Sequence, residues 1–406
     1  MANFELMRQL TRAEGGKIIL LVLDGVGGLP MEAGGLTELE TAKTPNMDRL
    51  AKEGSLGATI PVRRGITPGS GPAHLALFGY DPVEHPVGRG VLSALGVGLG
   101  IRDADVAARG NFCTLDDNGI VTDRRAGRIP TEEGQKRVDI LQGIEIPGIE
   151  TRVAVVKEYR FVLTLRGEGL SGAIDDTDPQ VTGEKPLDAV ALDGSREATH
   201  TAELVQQWID EAHKRLKGHE PANGVLLRGF AMDPNLPKYD DIYKLKAACV
   251  AVYPMYKGVS RLVGMDVIDT AGIETPAEEF DRVASVWNDY DFIFCHIKKT
   301  DSYGEDGNFD AKVHLIEEID AALPKLLDLN PDVLVITGDH STPAKHRSHS
   351  WHPVPLLLWS PALHMPDYAD SFGERACYGG ALGQFPATDI MPLALAHANR
   401  LEKFGA

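Results

Sequence analysis

The sequence predicts an α/β fold: a mostly parallel sheet with helices on both faces, plus a smaller inserted α+β domain. Two observations support this prediction. Short continuous apolar runs, typical of strands buried on both faces, alternate with segments of helical periodicity. The middle of the chain differs, because its segments are shorter and alternate between apolar and polar residues.

The individual elements follow from these patterns. Continuous apolar runs predict strands at 17–24, 291–297, 332–338 and 354–359. Helical periodicity predicts helices at 199–217, 275–287, 310–327 and 388–398, and the pattern at 152–165 predicts a hairpin or a bent strand pair. We therefore expect a catalytic domain formed by 1–105 and 235–406, interrupted by a substrate-binding domain at 106–234.

Length and charge limit the classes of function. A chain of 406 residues is longer than one hydrophobic core usually supports, so two domains are expected. The formal net charge of −18 repels nucleic acids and anionic membranes, and we expect neither as a partner. The four cysteines form no Cys-x-x-Cys pair, and the apolar run at 18–23 is too short for a leader or a membrane span. These features favour a cytoplasmic protein, and they predict no particular oligomeric state.

Side chains that bind metals follow the ends of the predicted strands. They are Asp24, Asp301, Glu305, Asp339, His340 and His349. Ligands of α/β sheets bind beyond the carboxyl ends of the strands, so we expect these groups to converge. Together with the hydroxyl of Ser70 they suffice for two divalent ions. A ligand set dominated by oxygen favours Mn²⁺ or Mg²⁺, with Zn²⁺ and Co²⁺ as alternatives.

Ser70 stands where a loop enters a predicted helix, just before Gly71 and Pro72. As the N-cap of this helix, it could do no more than cap the first turn. The same position would also place its hydroxyl beside free backbone N–H groups that can hold phosphate oxygens. A metal ion on the hydroxyl would lower its pKa and make it a nucleophile. Ser70 alone does not distinguish these two hypotheses.

A group of basic residues is associated with the inserted domain. It comprises Arg109, Arg124, Arg125 and Arg128, with Arg228 and Lys257 near the return of the chain to the main sheet. Guanidinium groups bind carboxylate and phosphate in bidentate fashion. In so acidic a chain the group favours a small anionic ligand, although for any single arginine a solvated basic face is an equal alternative.

Several long segments resemble the alkaline phosphatase superfamily and, within it, the archaeal-type cofactor-independent phosphoglycerate mutases. The most specific segments lie at 22–28, 43–54, 65–82, 88–96, 108–129, 296–307 and 338–343, and include GITPGSGPAHLALFGYDP and HIKKTDSYGEDG. The resemblance extends over nearly the whole chain.

This resemblance implies an alkaline-phosphatase-like sheet and a metal-dependent isomerase that works without 2,3-bisphosphoglycerate. The enzyme would interconvert 3-phosphoglycerate and 2-phosphoglycerate through a phosphoserine at Ser70. One ion would be held by Asp24, Ser70, Asp339 and His340, and the other by Asp301, Glu305 and His349. Lys257 would stabilise transition-state charge. The substrate would be held by Arg109, Arg124, Arg125, Arg128 and Arg228, and Arg228 is counted among the catalytic residues.

One position departs from the family pattern. The pattern Asp-x-x-Gly-His after the second metal-binding strand ends here in Glu305. A carboxylate in that place favours Mn²⁺ or Mg²⁺ further. Two alternatives remain open: a phosphotransferase or phosphatase on the same scaffold, for example a homoserine-kinase-like enzyme, and a metal-dependent binding protein without catalysis.

Overall fold

The computed structural model describes residues 4–362, 366–367 and 369–405. The chain divides into a unit formed by Met1–His85 and Pro237–Ala406, here the sheet unit, and a unit formed by Pro86–Leu236, here the inserted unit. The first boundary lies earlier than the one predicted at 105, because the helix Arg89–Gly96 packs on the inserted unit's own first strand. Gly90 lies so close to the carbonyl of Ala107 that a Cβ would meet its oxygen at 2.1 Å.

Elements are numbered in chain order through both units. The strands of the sheet unit are β1 Ile18–Leu23, β2 Ser55–Ile60, β8 Ala247–Ala251, β9 Asp266–Val267, β10 Phe292–Ile297, β11 Val333–Thr337, β12 Val354–Trp359 and β13 Gly383–Pro386. Its helices are α1 Phe4–Leu10, α2 Glu38–Thr41, α3 Pro45–Glu53, α4 Ser70–Leu77, α8 Tyr239–Tyr243, α9 Pro254–Leu262, α10 Pro276–Val286, α11 Lys299–Asp306, α12 Phe309–Ala322, α13 Pro324–Leu327, α14 Glu374–Gly379 and α15 Ile390–His397.

The inserted unit contributes the remaining elements. Its strands are β3 Val106–Leu115, β4 Val121–Asp123, β5 Glu150–Lys157, β6 Arg160–Arg166 and β7 Gly224–Ala231, and its helices are α5 Arg89–Gly96, α6 Thr131–Leu141 and α7 Arg196–Leu216. Short 3₁₀ helices lie at Ala126–Arg128 in this unit and at Trp287–Asp289 and Ala387–Asp389 in the sheet unit.

The sheet unit is built on an eight-stranded sheet in the order β13-β2-β12-β11-β1-β10-β8-β9. Only β12 runs antiparallel to its neighbours among the paired strands of this described sheet. Every residue of β1, β10 and β11 is buried, as expected for central parallel strands covered on both faces. The predicted mostly parallel α/β fold is confirmed.

One predicted helix is divided in the structure. The apolar periodicity at 310–327 is continuous, but α12 ends before Pro324 and α13 begins there. Proline has no N–H to donate, and its ring clashes with the preceding turn, so the helix breaks although the apolar stripe continues.

Lys312, on α12, joins the two loops that follow β1 and β11. Its fully buried ammonium donates to the carbonyl oxygens of Gly25 at 2.8 Å, Gly27 at 3.3 Å and Thr342 at 2.9 Å. The loop after β1 turns tightly behind Asp24, because Gly25 has a φ of +63° that glycine adopts easily. Lys312 therefore fixes the backbone at the carboxyl ends of the central strands.

The inserted unit has its own antiparallel sheet and its own core. Strand β3 pairs with β4, β6 and β7, and β5 pairs with β6. The predicted hairpin at 152–165 corresponds to β5 and β6. The core lies between this sheet and helices α6 and α7, where Trp208 is fully buried.

Within the part of the chain that the structure describes, no helix combines the length and the apolar character that crossing a bilayer requires.

We predict that Leu163→Ala lowers the free energy of unfolding of the inserted unit by about 2–5 kcal/mol, because it leaves a cavity in a closed core. Leu163 lies on β6 and is fully buried. Leu192, 64% exposed in the same unit, provides the matched control, and Leu192→Ala should change stability little. Urea unfolding of both variants measures the difference, and equal midpoints would contradict the assigned core.

We predict that Lys312→Met destabilises the sheet unit by about 3 kcal/mol or more, because it leaves buried carbonyl oxygens without a donor. The exposed Lys345→Met removes the same charge and should have little effect. Thermal unfolding of the two variants tests this, and a Lys312→Met protein as stable as the control would show that the three hydrogen bonds are dispensable.

Candidate metal centre

The predicted ligand residues lie at one edge of the large sheet. Strand β1 pairs in parallel with both β10 and β11, and the three strands end side by side. Asp24 directly follows β1, Asp301 lies in the first turn of α11 after β10, and Asp339 with His340 follows β11. Alternation of strands and helices thus brings together residues that are far apart in the sequence.

Asp24, Asp339 and His340 form the first group, with one potential ligand atom of each residue within 4.8 Å of the others. The Nε2 atom of His340 lies 3.4 Å from Asp24 Oδ1 and 3.2 Å from Asp339 Oδ2. All three side chains are fully buried. Asp24 Oδ1 and Asp339 Oδ2 accept no hydrogen bond from the described residues.

Asp301, His340 and His349 form the second group, again with ligand atoms within 4.8 Å of one another. His349 Nε2 lies 3.5 Å from Asp301 Oδ1, and Glu305 Oε1 lies 3.9 Å from the same nitrogen. The rings of His340 and His349 stack with their centroids 3.6 Å apart, so the two groups adjoin.

Hydrogen bonds define which nitrogen of each histidine carries the proton. Thr342 Oγ1 donates to Asp301 Oδ1 at 2.6 Å, so it must accept from His340 Nδ1, which lies 2.9 Å away. His349 Nδ1 lies 2.9 Å from the carbonyl oxygen of Pro68, which can only accept. With the proton on Nδ1, the neutral form of each ring presents its Nε2 lone pair on the side of the carboxylates, the tautomer required of a metal ligand.

These contacts place acceptors opposite acceptors, an arrangement that a cation would stabilise. Burial, together with Asp24 and Asp301, raises the pKa of Asp339 well above its ordinary value. Burial also opposes ionisation of Asp24, but Lys298 and His296 outweigh it and hold the pKa of Asp24 well below the ordinary value. Two buried carboxylate oxygens without donors in the described part of the chain, Asp24 Oδ1 and Asp339 Oδ2, beside imidazole nitrogens fit a divalent metal ion.

The sequence suggested that Ser70 is the N-cap of α4, but in the structure Ser70 is the first residue of this helix. The N-cap is Gly69, which has extended backbone angles and offers no side chain. The Ser70 hydroxyl is thus not used for capping and lies 3.3 Å from His340 Nε2. His74, one turn later, donates from Nδ1 to the carbonyl oxygen of Ser70 at 2.8 Å. Burial lowers the pKa of His74 to about 3, so this ring is neutral.

Three further side chains reach Asp24 and were missed in the sequence. Lys298 Nζ lies 3.0 Å from Asp24 Oδ2 and 2.5 Å from Asp301 Oδ2. The hydroxyl of Tyr256 donates to Asp24 Oδ2, and His296 Nε2 lies 3.4 Å from the same oxygen. Lys298 stands three residues before Asp301, and this spacing was the only local signal for its role.

The structure places two arginines of the inserted unit beside one acid. Arg124 donates from Nε and Nη2 to the buried Asp178 at 2.8 and 2.7 Å, and Arg228 Nη1 lies 3.7 Å from that carboxylate. Arg109 faces Arg228 across the pair β3–β7. Arg89, at the start of α5, was not predicted; burial and the charge of Arg228 lower its pKa.

The remaining basic residues have different surroundings. Arg125 and Arg128 are exposed, beside and within the 3₁₀ turn at Ala126–Arg128. Lys257 lies on α9 in the sheet unit, one residue after Tyr256, and burial lowers its pKa. No hydrogen bond or ion pair among the described residues joins Lys257 to the two acid groups, and its catalytic role stays a prediction.

Comparison with known proteins agrees with this geometry. The family model of the metalloenzyme superfamily matches residues 16–397. A protein of Thermus thermophilus named "Probable 2,3-bisphosphoglycerate-independent phosphoglycerate mutase" is 52% identical over 409 residues, covering 100% of both chains. A protein of the same name from Aquifex aeolicus is 50% identical and covers 99% of this chain and 100% of its own.

Two solved structures also match over nearly the whole chain. The PH0037 protein from Pyrococcus horikoshii has 35% identity and a TM-score of 0.83, covering 97% of this chain and 100% of its own. The cofactor-independent phosphoglycerate mutase from Thermoplasma acidophilum has 30% identity and a TM-score of 0.70, covering 94% and 99%. The chain therefore belongs to the metalloenzyme superfamily and, within it, to the 2,3-bisphosphoglycerate-independent phosphoglycerate mutase family.

Proposed function

We propose that this chain is a metal-dependent isomerase that interconverts 3-phosphoglycerate and 2-phosphoglycerate without 2,3-bisphosphoglycerate. The observation that carries the proposal is the Ser70 hydroxyl, uncommitted to capping and 3.3 Å from His340 Nε2. A hydroxyl beside a dense set of metal-ligand atoms is the arrangement that phosphoryl transfer to serine requires. Relatives named as such mutases, about half identical over the full length, support the same activity.

We assign two divalent ions to the acid groups. Asp24, Asp339, His340 and Ser70 would hold one ion, and Asp301, Glu305 and His349 the other. His340 is assigned to the first because its Nε2 faces Asp24 and Asp339. The predominance of oxygen donors favours Mn²⁺ or Mg²⁺. When bound, such cations lower the pKa of a serine hydroxyl and neutralise charge on phosphoryl oxygens.

The reaction at Ser70 has two balanced steps. In the first step the serine oxygen bonds to phosphorus as the bond between phosphorus and the 3-oxygen of glycerate breaks. Ser70 loses one proton and the leaving 3-oxygen gains one. The glycerate then turns, and its 2-oxygen bonds to phosphorus as the bond between phosphorus and the serine oxygen breaks. The proton lost by the 2-hydroxyl equals the one that restores the serine hydroxyl. Free N–H groups in the first turn of α4 would hold the phosphoryl oxygens.

We assign recognition of this small phosphorylated acid to the basic residues. Arg109, Arg124, Arg125, Arg128 and Arg228 would bind its phosphate and carboxylate groups, because guanidinium matches both in bidentate geometry. Lys257 would stabilise charge on the transferring group. We also propose that the enzyme works in the cytoplasm, since all four cysteines are buried free thiols.

We predict that Ser70→Ala reduces turnover by at least about a thousandfold, because the phosphoryl acceptor is lost. Conversion of 3-phosphoglycerate is followed by coupling to enolase, and the phosphoserine is sought by mass spectrometry of the wild-type protein. Ser285→Ala, at an exposed position of α10, is the control and should retain activity. Turnover by Ser70→Ala at the wild-type rate would refute the nucleophile, and phosphate release without isomerisation would indicate a phosphatase.

We predict that chelation abolishes activity and that Mn²⁺ or Mg²⁺ restores it better than Zn²⁺. Glu305→His adds a nitrogen donor and should shift the preference toward Zn²⁺ or Co²⁺. Activity of the metal-free protein after each addition measures the order for both proteins. Full activity after complete metal removal would contradict the mechanism, and an unchanged order in Glu305→His would remove Glu305 from the ligand set.

A further inference from the structure

One ammonium group joins the two acid groups. Lys298 lies between β10 and α11, and its Nζ contacts Asp24 Oδ2 at 3.0 Å and Asp301 Oδ2 at 2.5 Å. Asp24 belongs to the first group and Asp301 to the second. Lys298 is therefore placed to act on both groups at once.

Lys298 contacts the Oδ2 atom of each carboxylate, and the Oδ1 atom of each lies near a histidine. Asp24 Oδ1 lies 3.4 Å from His340 Nε2, and Asp301 Oδ1 lies 3.5 Å from His349 Nε2. A carboxylate rotates readily about its last bond, so a fixed donor on one oxygen determines where the other points. Lys298 thus helps to hold the Oδ1 atoms of both Asp24 and Asp301 on the side of the histidines.

The surroundings keep Lys298 in this position. Its nitrogen lies 6.0 Å from the ring centre of Tyr253 and 5.8 Å from that of Tyr256, and the side chain is only 25% exposed. Tyr256 also donates to Asp24 and Thr342 to Asp301, but each of these hydroxyls holds one carboxylate only. Without the ammonium, the repulsion between the buried carboxylates of Asp24 and Asp301 would be uncompensated. The metal groups would then lose their preset geometry.

We propose that Lys298 is a positioning residue that prepares both metal groups by orienting Asp24 and Asp301. The inference deepens the proposed function and rests on its two-metal centre. It assigns Lys298 no contact with substrate. Partners that orient metal ligands in this way typically change metal affinity by about 10–100-fold when they are removed.

The test is a calorimetric titration of the full-length, metal-free protein with Mn²⁺. Lys298→Met should weaken both binding steps, by about tenfold or more each. Lys298→Arg keeps a cationic donor and should recover most of the affinity. Lys299→Met is the matched control, because it removes the same charge one residue away from an exposed side chain bonded to the Glu274 carbonyl. Its affinities should equal those of the wild type.

A second variant distinguishes a residue that acts on both metal groups from one that acts on a single group. The hydroxyl of Tyr256 contacts Asp24 but not Asp301, so Tyr256→Phe should weaken one binding step and leave the other unchanged. If Lys298→Met does not fold, Lys298→Gln takes its place with the same expected weakening of both steps.

The outcomes distinguish this inference from the proposed function. Failure of the wild-type protein to bind Mn²⁺ would refute both the proposed function and the positioning role of Lys298. Binding by the wild type with equal or tighter binding by the Lys298 variants removes the positioning role alone. Weakening of a single step in Lys298→Met would also overturn it, because the role requires both carboxylates.

Discussion

Repulsion among three buried carboxylates, Asp24, Asp301 and Asp339, is the constraint on which the rest of the site depends. Parallel strands bring them to one edge of the sheet, where water screens them little. Burial and neighbouring acids raise the pKa of Asp339, whereas Lys298 and His296 overcome burial and lower the pKa of Asp24. Lys298 thus offsets part of the negative charge at Asp24, whereas the charge of Asp339 has no such cation beside it among the described residues.

The backbone near these acids is held by partners that carry no catalytic chemistry. Lys312 bonds to carbonyl oxygens of Gly25 and Thr342, which follow Asp24 and His340 closely in the chain. Thr342 in turn bonds to both His340 and Asp301, and so sets a tautomer in one group and a carboxylate in the other. The geometry of the ligand atoms therefore depends on loops that are fastened to each other before any ion binds.

Patterning in the sequence was enough to predict strands β1, β10 and β11 and the acids at their ends, because buried parallel strands have continuous apolar runs. Lys298 and Lys312 could not be predicted in the same way. A lysine in a polar segment is typical of a surface, and Lys312 is buried only because carbonyl oxygens as distant in sequence as Gly25 surround it. Ser70 was placed one residue too early in its helix, since glycine and serine are both good N-caps and only backbone angles separate them.

In the sheet unit a lysine lies between buried acids, whereas in the inserted unit a buried acid lies beside two arginines. Asp178 is the buried acid beside both Arg124 and Arg228, and its single negative charge offsets only part of their two positive charges. Arg89 is a third cation near this pair, since its pKa is lowered by burial and, after burial, by the charge of Arg228. A chain of net charge −18 can therefore present a local positive field to a small anion. If these arginines bind the substrate as proposed, Asp178 is as necessary as they are, because guanidinium groups without it would repel one another and lose the fixed geometry that bidentate binding requires.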